Sequence, residues 1–349
     1  MSNTYTLNNT PIRTSISYKI NDITFKDLDL PSQQKSFNCV EVQSENVDVR
    51  TTFPFEKLTF GMGAVMEDNM AEYCNSAYAI QPTSSQANFA VTYTFDDNNR
   101  ELSNYIFIEA DKDMSVTIAY RSQTELACYH QFILKTKIKN KAKVHVEIIN
   151  LLNEKTNHFI SVENTVEEDS QLEMILIDLG GKNSVSNLYS NMIGDGSMLN
   201  TESVYIGQND VLKDMNYIAH LRGKKSIAEM ELQGVLSDRS KKNLKFTVDF
   251  KTGCTGAIGR ELESCLLLSD DARYLSLPIL LCSEDNVEGA HSAAAGQVDP
   301  EQLFYIMSRG FTKKEATKML VRAKYNQIIE KLQDSSLRNE IIAEIDRRL

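Results

Sequence analysis

The chain contains no apolar stretch long enough to cross a bilayer. Its most apolar segment, Leu275 to Cys282, is far shorter than the roughly 20 residues a spanning helix requires. Met1-Ser2-Asn3-Thr4-Tyr5-Thr6 lacks the basic start and apolar run of a secretory signal. The six cysteines (Cys39, Cys74, Cys128, Cys254, Cys265 and Cys282) include no C-x-x-C pair and no small disulfide framework. In a chain of this length they read as buried thiols of a reducing compartment. These absences set the expectation of a soluble cytoplasmic protein. Excess positive charge is also lacking. A net charge of −11 argues against holding nucleic acid or anionic membrane through bulk electrostatics. The local cluster Arg239-Ser240-Lys241-Lys242 reads as a solvated turn. Phosphate-cradling loops are missing too. Neither Gly253 to Arg260 nor Gly194-Asp195-Gly196 has the Gly-Lys followed by Ser or Thr of a Walker A loop. Gly223-Lys224 is followed by Lys225 and lacks the earlier glycine. Nucleotide hydrolysis, if the function needs it, must come from another subunit.

What remains is an ordinary globular composition, 24% charged and 42% hydrophobic, in 349 residues. That length suits one elongated domain with smaller flanking pieces, or two compact domains. Three textures divide it. Residues 1–86 mix short polar segments with one helix expected near Val65 to Tyr78, where Met66, Met70, Tyr73 and Cys74 fall at helical spacing. Gln81 to Gln86 reads as a linker. Residues 87–297 alternate with a period of two, the strand signature. Val116, Ile118 and Tyr120 share one face; so do Val144, Val146 and Ile148, then Leu172, Met174 and Leu176, then Leu244, Phe246, Val248 and Phe250. Turns at Asp111-Lys112-Asp113, Asn140-Lys141-Ala142, Glu167 to Ser170, Gly194-Asp195-Gly196 and Arg222-Gly223-Lys224 recur at a near-fixed period of about 27–29 residues, as in a solenoid. One rung of that length holds two or three short strands, and stacked rungs fill the interior with the apolar faces. The reading is a β-helix. A sandwich of evenly spaced hairpins is the competing fold, weakened because Asp195-Gly196 is the only clear hairpin dipeptide.

Residues 298–349 turn helical. Asp299 is an N-cap, Pro300 stands at N1 and Gly310 follows as a C′ residue. Thr312-Lys313-Lys314-Glu315 is a capping box. Behind it Ala316, Met319, Leu320 and Ala323 form an apolar stripe continued by Ile328, Ile329 and Leu332. Asp334-Ser335-Ser336 opens a last helix through Ile341, Ile342 and Ile345, with Arg347 and Arg348 near its C-terminus. The fold expected is an all-β core with an α appendix.

Three segments in order carry a resemblance. They are Leu266-Leu267-Leu268-Ser269-Asp270-Asp271-Ala272-Arg273, then Gly289-Ala290-His291-Ser292-Ala293-Ala294-Ala295-Gly296-Gln297, then Gln302 to Gly310 with Leu303-Phe304-Tyr305 and Ser308-Arg309-Gly310. Together they resemble the C-terminal core of the SufB/SufD family of iron–sulfur cluster assembly proteins, over roughly a quarter of the chain. The resemblance implies a right-handed parallel β-helix, a scaffold without a catalytic centre, and pairing with a SufB-type subunit through the C-terminal end of the helix. It further implies docking of a SufC-type ATPase on the C-terminal helices, and a transient iron or iron–sulfur cluster at the subunit junction. No cofactor held stably by the isolated chain is expected; a homodimer is compatible. The SufB type has a cysteine just before the L-L-L segment where Glu263 stands here, and Glu-His-Glu where this chain has Ala290-His291-Ser292. The chain therefore resembles the SufD type. Many SufD-type members also carry a cysteine two residues before the histidine, where this chain has Gly289.

His291 is the foremost candidate ligand. A neutral imidazole binds iron, and thiolates from a partner would complete a mixed nitrogen–sulfur site. Glu263 and Cys265, on one strand face, are secondary candidates. Cys254, Cys265 and Cys282 are each expected to pack in the core more readily than to ligate. His220 and Glu229 read as fold residues, and His130, His145 and His158 as surface or strand-face residues. A β-helix carbohydrate-active enzyme is the competing function, since that architecture also hosts lyases and hydrolases. It needs paired carboxylates, and Asp238 and Asp249 are isolated in sequence.

Overall fold

The computed structural model describes residues 3–349. Alternating apolar residues produce two nine-stranded sheets that face each other. Successive strands go to opposite sheets, so every other strand is a neighbour: Lys143–Leu151 lies between Met114–Ser122 and Gln171–Asp178, all parallel. Hydrogen bonds between adjacent turns join residues 26 to 31 apart. The result is a parallel β-solenoid of about eight turns with two strands per turn. Parallel pairing of strands that are not consecutive excludes the hairpin sandwich. The inward residues anticipated from the alternation (Val116, Ile118, Tyr120, Leu244, Phe246, Val248 and Phe250 among them) form one continuous core.

The recurring turns stack into one corner of the solenoid. Asp169 N donates to Asp195 O at 2.9 Å, Gly196 N to Lys224 O at 2.8 Å and Lys225 N to Thr255 O at 3.0 Å. These bonds satisfy backbone groups that would otherwise be orphaned at each strand end. Asp169, Gly196, Lys225 and Gly256 all adopt positive φ there, a conformation that Gly and Asp accept at low cost.

The interior is less apolar than expected. His130 and His158 are buried inside it, not on the surface. The cause is phase: His130 precedes inward Phe132 and Leu134 by even steps, and His158 likewise precedes Ile160 and Val162. Their Nδ1 atoms meet at 2.7 Å, and His130 Nε2 lies 2.9 Å from Asn104 Oδ1. Since that carbonyl oxygen can only accept, His130 carries its proton on Nε2 and His158 donates from Nδ1. Both rings are neutral, as burial holds His130 well below the usual histidine range and His158 at about 4. One turn further, Asp178 accepts from Lys213 Nζ, Ser184 Oγ and Asn150 Nδ2, each at 2.8 Å. His145 lies on an outer face, 3.0 Å from Glu147 and 3.3 Å from Glu173.

Both outer faces are partly covered. The N-terminal segment lies over one sheet, with Leu7, Met62 and Met66 packed on Tyr129, Phe159 and Val185. Helix α1 (Ala64–Tyr73) is shorter than the helix expected to Tyr78. It stops because Ser76–Pro82 is taken into the sheet beside Glu101–Ala110. The other sheet is covered by the C-terminal helices α3 (Lys313–Ile329) and α4 (Ser335–Arg348), while α2 (Pro300–Met307) precedes them with no buried residue. Asp299 caps α2 and the Thr312–Glu315 capping box opens α3. In α3 Val321, Tyr325, Ile328 and Ile329 pack against Ile177, Val204 and Val235, and Ala316 is buried on the same helix. Met319 faces outward instead of joining them, one helical step off the expected face.

The two ends of the solenoid differ. At the first turn the chain folds back as Val40–Glu45 and Val47–Arg50, each antiparallel to its neighbour, and Phe37 packs on Tyr93 and Phe95. That end is closed. At the last turn Arg273–Cys282 and Glu288–Gln297 each have a strand on one side only, and all ten residues of the latter are exposed. An unblocked strand edge is a template for pairing.

Candidate functional site at the open end

In parallel strands paired in register, aligned residues point to the same face. In Ile258–Leu267 the buried residues are Gly259, Glu261, Glu263 and Cys265, alternating with residues that face outward. They align with Gly289, His291, Ala293 and Ala295 of the last strand. In the facing sheet the inward Lys242, Leu244, Phe246, Val248 and Phe250 align with Tyr274, Ser276, Pro278, Leu280 and Cys282. The open end is therefore a lumen whose rim is the last turn and whose floor is the turn below.

The floor is charged. Lys242 ion-pairs with Glu263, both side chains being fully buried. Lys242 is thus no part of a solvated turn: it lies in phase with Leu244 and Phe246, and the strand carries it inward. Tyr205 and Tyr274 donate to the two Glu263 carboxylate oxygens at 2.8 and 2.7 Å. The ammonium also lies 3.9 Å from the centroid of the Tyr274 ring, a cation–π contact. Burial pulls Lys242 below the usual lysine value against the pull of Glu263. Burial pushes the neighbouring Cys265 thiol up to about 11, with Tyr205 and Lys242 opposing. Cys265 is therefore a packed thiol, not a thiolate.

Tyr205 reaches Glu263 across Gly234, whose hypothetical Cβ would fall inside the tyrosine ring. Only glycine permits that approach.

Glu261 differs from its neighbours. It is 2% exposed, yet neither carboxylate oxygen makes a hydrogen bond. Burial pushes its carboxyl up to about 8, opposed by the nearby Val248 backbone N–H. Directly above it in the register stands His291, exposed at the rim. A Cβ on Gly289 would meet Leu280 and Phe250 at 3.1 and 3.2 Å, so apolar side chains fill the space that a thiol at that position would need.

The other candidates are dispersed. Cys254 is buried near the corner; Cys282, expected in the core, is exposed because no further turn covers it. His220 sits 3.3 Å from Asp249 and 3.2 Å from the Tyr189 hydroxyl, and Glu229 pairs with Arg260 at 2.5 Å, so both are fold residues. Asp238 accepts from Asn209 N in a turn, whereas Asp249 is bound to Lys251 and His220. Among the described residues no group of three or more His, Cys, Asp or Glu side chains is placed to hold a metal ion unaided.

The structure brings His291, Glu263 and Cys265, all named from sequence, to the open end, together with Lys242, Tyr205, Tyr274 and Glu261, which sequence reasoning missed. The alternation itself held the signal: Glu261 stands two residues before Glu263, and Lys242 two before Leu244.

Comparison with known proteins agrees with this architecture. Residues 93–324 match the family described as SUF system FeS cluster assembly, SufBD core domain. The chain is 26% identical over 262 residues to the iron–sulfur cluster assembly protein SufD of Bacillus subtilis, covering 74% of this chain and 60% of that protein. It is 25% identical over 211 residues to SufD of Escherichia coli, covering 60% of this chain and 50% of that protein. A SufBD family protein of Methanothermobacter thermautotrophicus is 32% identical over 157 residues, 45% of this chain and 36% of its own length. The chain spans about half the length of the curated relatives it matches. It belongs to the SufB/SufD family of iron–sulfur cluster assembly proteins. Within that family it is a SufD-type protein.

Proposed function

We propose that this chain is a non-catalytic cytoplasmic scaffold that pairs with a SufB-type subunit through its open end and docks a SufC-type ATPase on its C-terminal helices. The asymmetry of the solenoid carries the reading: at the first turn antiparallel strands and Phe37 cap the core, whereas at the last turn the strand bearing His291 is exposed along its whole length. A partner strand pairing with Glu288–Gln297 would satisfy that edge and bring its own thiolates to the imidazole. Iron, or a nascent cluster, is then cargo held transiently at the seam, with His291 as this chain's ligand. The ATPase surface is assigned to α2 and the turn after it, where Phe304 (72% exposed), Tyr305 (58% exposed) and Phe311 leave apolar area uncovered. α3 and α4 are committed to the sheet beneath them.

Coexpression with a SufB-type and a SufC-type chain tests this reading. One co-purifying complex is expected, and elution of this chain alone, or as a homodimer excluding the SufB-type chain, would contradict it. His291→Ala is expected to leave the complex assembled while lowering its iron content at least several-fold. Unchanged iron content removes His291 from the site.

A further inference from the structure

We infer that Glu261 is a second ligand for the cation at the open end, so that its carboxylate and the His291 imidazole form half of a divalent-metal site. The inference rests on the reading of His291 given above and extends it to a residue inside the lumen. Glu261 and His291 are register partners on adjacent parallel strands with their side chains on the same face. Neighbouring strands lie about 4.8 Å apart, and metal–oxygen and metal–nitrogen bonds run about 2.0–2.2 Å. One ion therefore fits between the two side chains without movement of the backbone. The inward positions flanking His291 are Gly289 and Ala293, both small. The small Ala293 side chain leaves its side of His291 open to ligands arriving from outside.

The state of Glu261 is the independent observation. The other inward carboxylates have their full complement of donors: Asp178 accepts from Lys213, Ser184 and Asn150, and Glu263 from Lys242, Tyr205 and Tyr274. Glu261 has none. An unpaired polar group in the interior costs stability, and each buried one calls for an explanation. Packing gives no reason for a carboxyl there, since the facing strand points the apolar Phe246, Val248 and Phe250 inward. A cation arriving at the rim would supply the missing partner. One oxygen donor with one imidazole suits a first-row divalent ion such as ferrous iron. It suits calcium less well, which prefers all-oxygen sites, and cuprous copper less well, which prefers sulfur.

The test is anaerobic equilibrium dialysis of the full chain against ferrous iron alone, for wild type, Glu261→Gln, Glu261→Asp and His291→Ala. Wild type should bind one ion per chain. Glu261→Gln should weaken binding at least tenfold, Glu261→Asp by less, and His291→Ala at least tenfold. Circular dichroism melting of the metal-free variants checks that each is folded; Glu261→Gln should melt no lower than wild type, since it removes an unpaired acid. Wild-type affinity in folded Glu261→Gln, with loss in His291→Ala, overturns the role of Glu261 and leaves that of His291 standing. Loss in Glu261→Gln with wild-type affinity in His291→Ala overturns the shared site and the reading of His291 together. Absence of binding by wild type overturns the half-site.

Discussion

Replacing Lys242 with methionine is expected to destabilise the protein by about 3–5 kcal/mol. The substitution keeps a long flexible side chain of similar volume but removes the one cation paired with Glu263 in the floor of the lumen. A carboxylate left behind, with only Tyr205 and Tyr274 donating to it, must keep an uncompensated charge in a low-dielectric interior or take up a proton. Either course costs more than the pair itself contributes, because the two ions were costly to desolvate in the first place. Adding Glu263→Gln should recover a large part of the loss, since the neutral amide can accept from one tyrosine through its oxygen and donate to the hydroxyl of the other through its NH2. Urea unfolding followed by far-ultraviolet circular dichroism and tyrosine fluorescence measures both, as the chain has no tryptophan. A shift in midpoint at constant slope reports stability. If Lys242→Met costs less than about 1 kcal/mol, the pair behaves as a solvated one and the account of the floor is wrong.

The second large effect is expected at Gly234. An alanine there places its Cβ inside the Tyr205 ring, and the ring has nowhere to go in a packed core. Displacing it breaks the hydrogen bond to Glu263 as well. Overpacking and loss of a charge-assisted bond together give about 3 kcal/mol. The mechanism makes a sharper claim than the magnitude. In a double-mutant cycle, Tyr205→Ala should cost much less in the Gly234→Ala background than in wild type, because both changes remove the same contact. Simple additivity would mean that the methyl group disturbs something other than Tyr205.

Much of the fold was legible because two periodicities agree. The alternation in Leu244-Lys245-Phe246-Thr247-Val248 specifies a strand, and the spacing of the turns specifies stacking. What spacing could not decide was the number of strands per turn, since about 28 residues accommodate two long strands or three short ones. The misplaced residues share one cause. Lys242, His130 and His158 were read by polarity, although each stands in phase with apolar neighbours on its own strand, and phase decides which way a strand side chain points. Met319 went wrong through the same kind of slip on a helix, where one residue rotates a side chain by about 100°.

The candidate site was legible in part. His291 was found through family resemblance and not through pattern. Its strand, Glu288–Gln297, is exposed on both faces, so burial imposes no alternation of apolar and polar residues on it. Glu261 carried no motif at all. Its significance lies in a missing hydrogen bond, which only three-dimensional placement reveals.

The central claim is that the last turn is an unfinished edge completed by another chain. Hydrogen exchange of the amides in Glu288–Gln297, measured on the free chain and on its complex with a SufB-type subunit, tests that directly. In the free chain the amides directed away from Ile258–Leu267 should exchange fast, and in the complex they should slow by at least tenfold. Unchanged exchange there, with new protection at Val40–Glu45 or Val47–Arg50 instead, would place the partner on the blocked end and contradict the account.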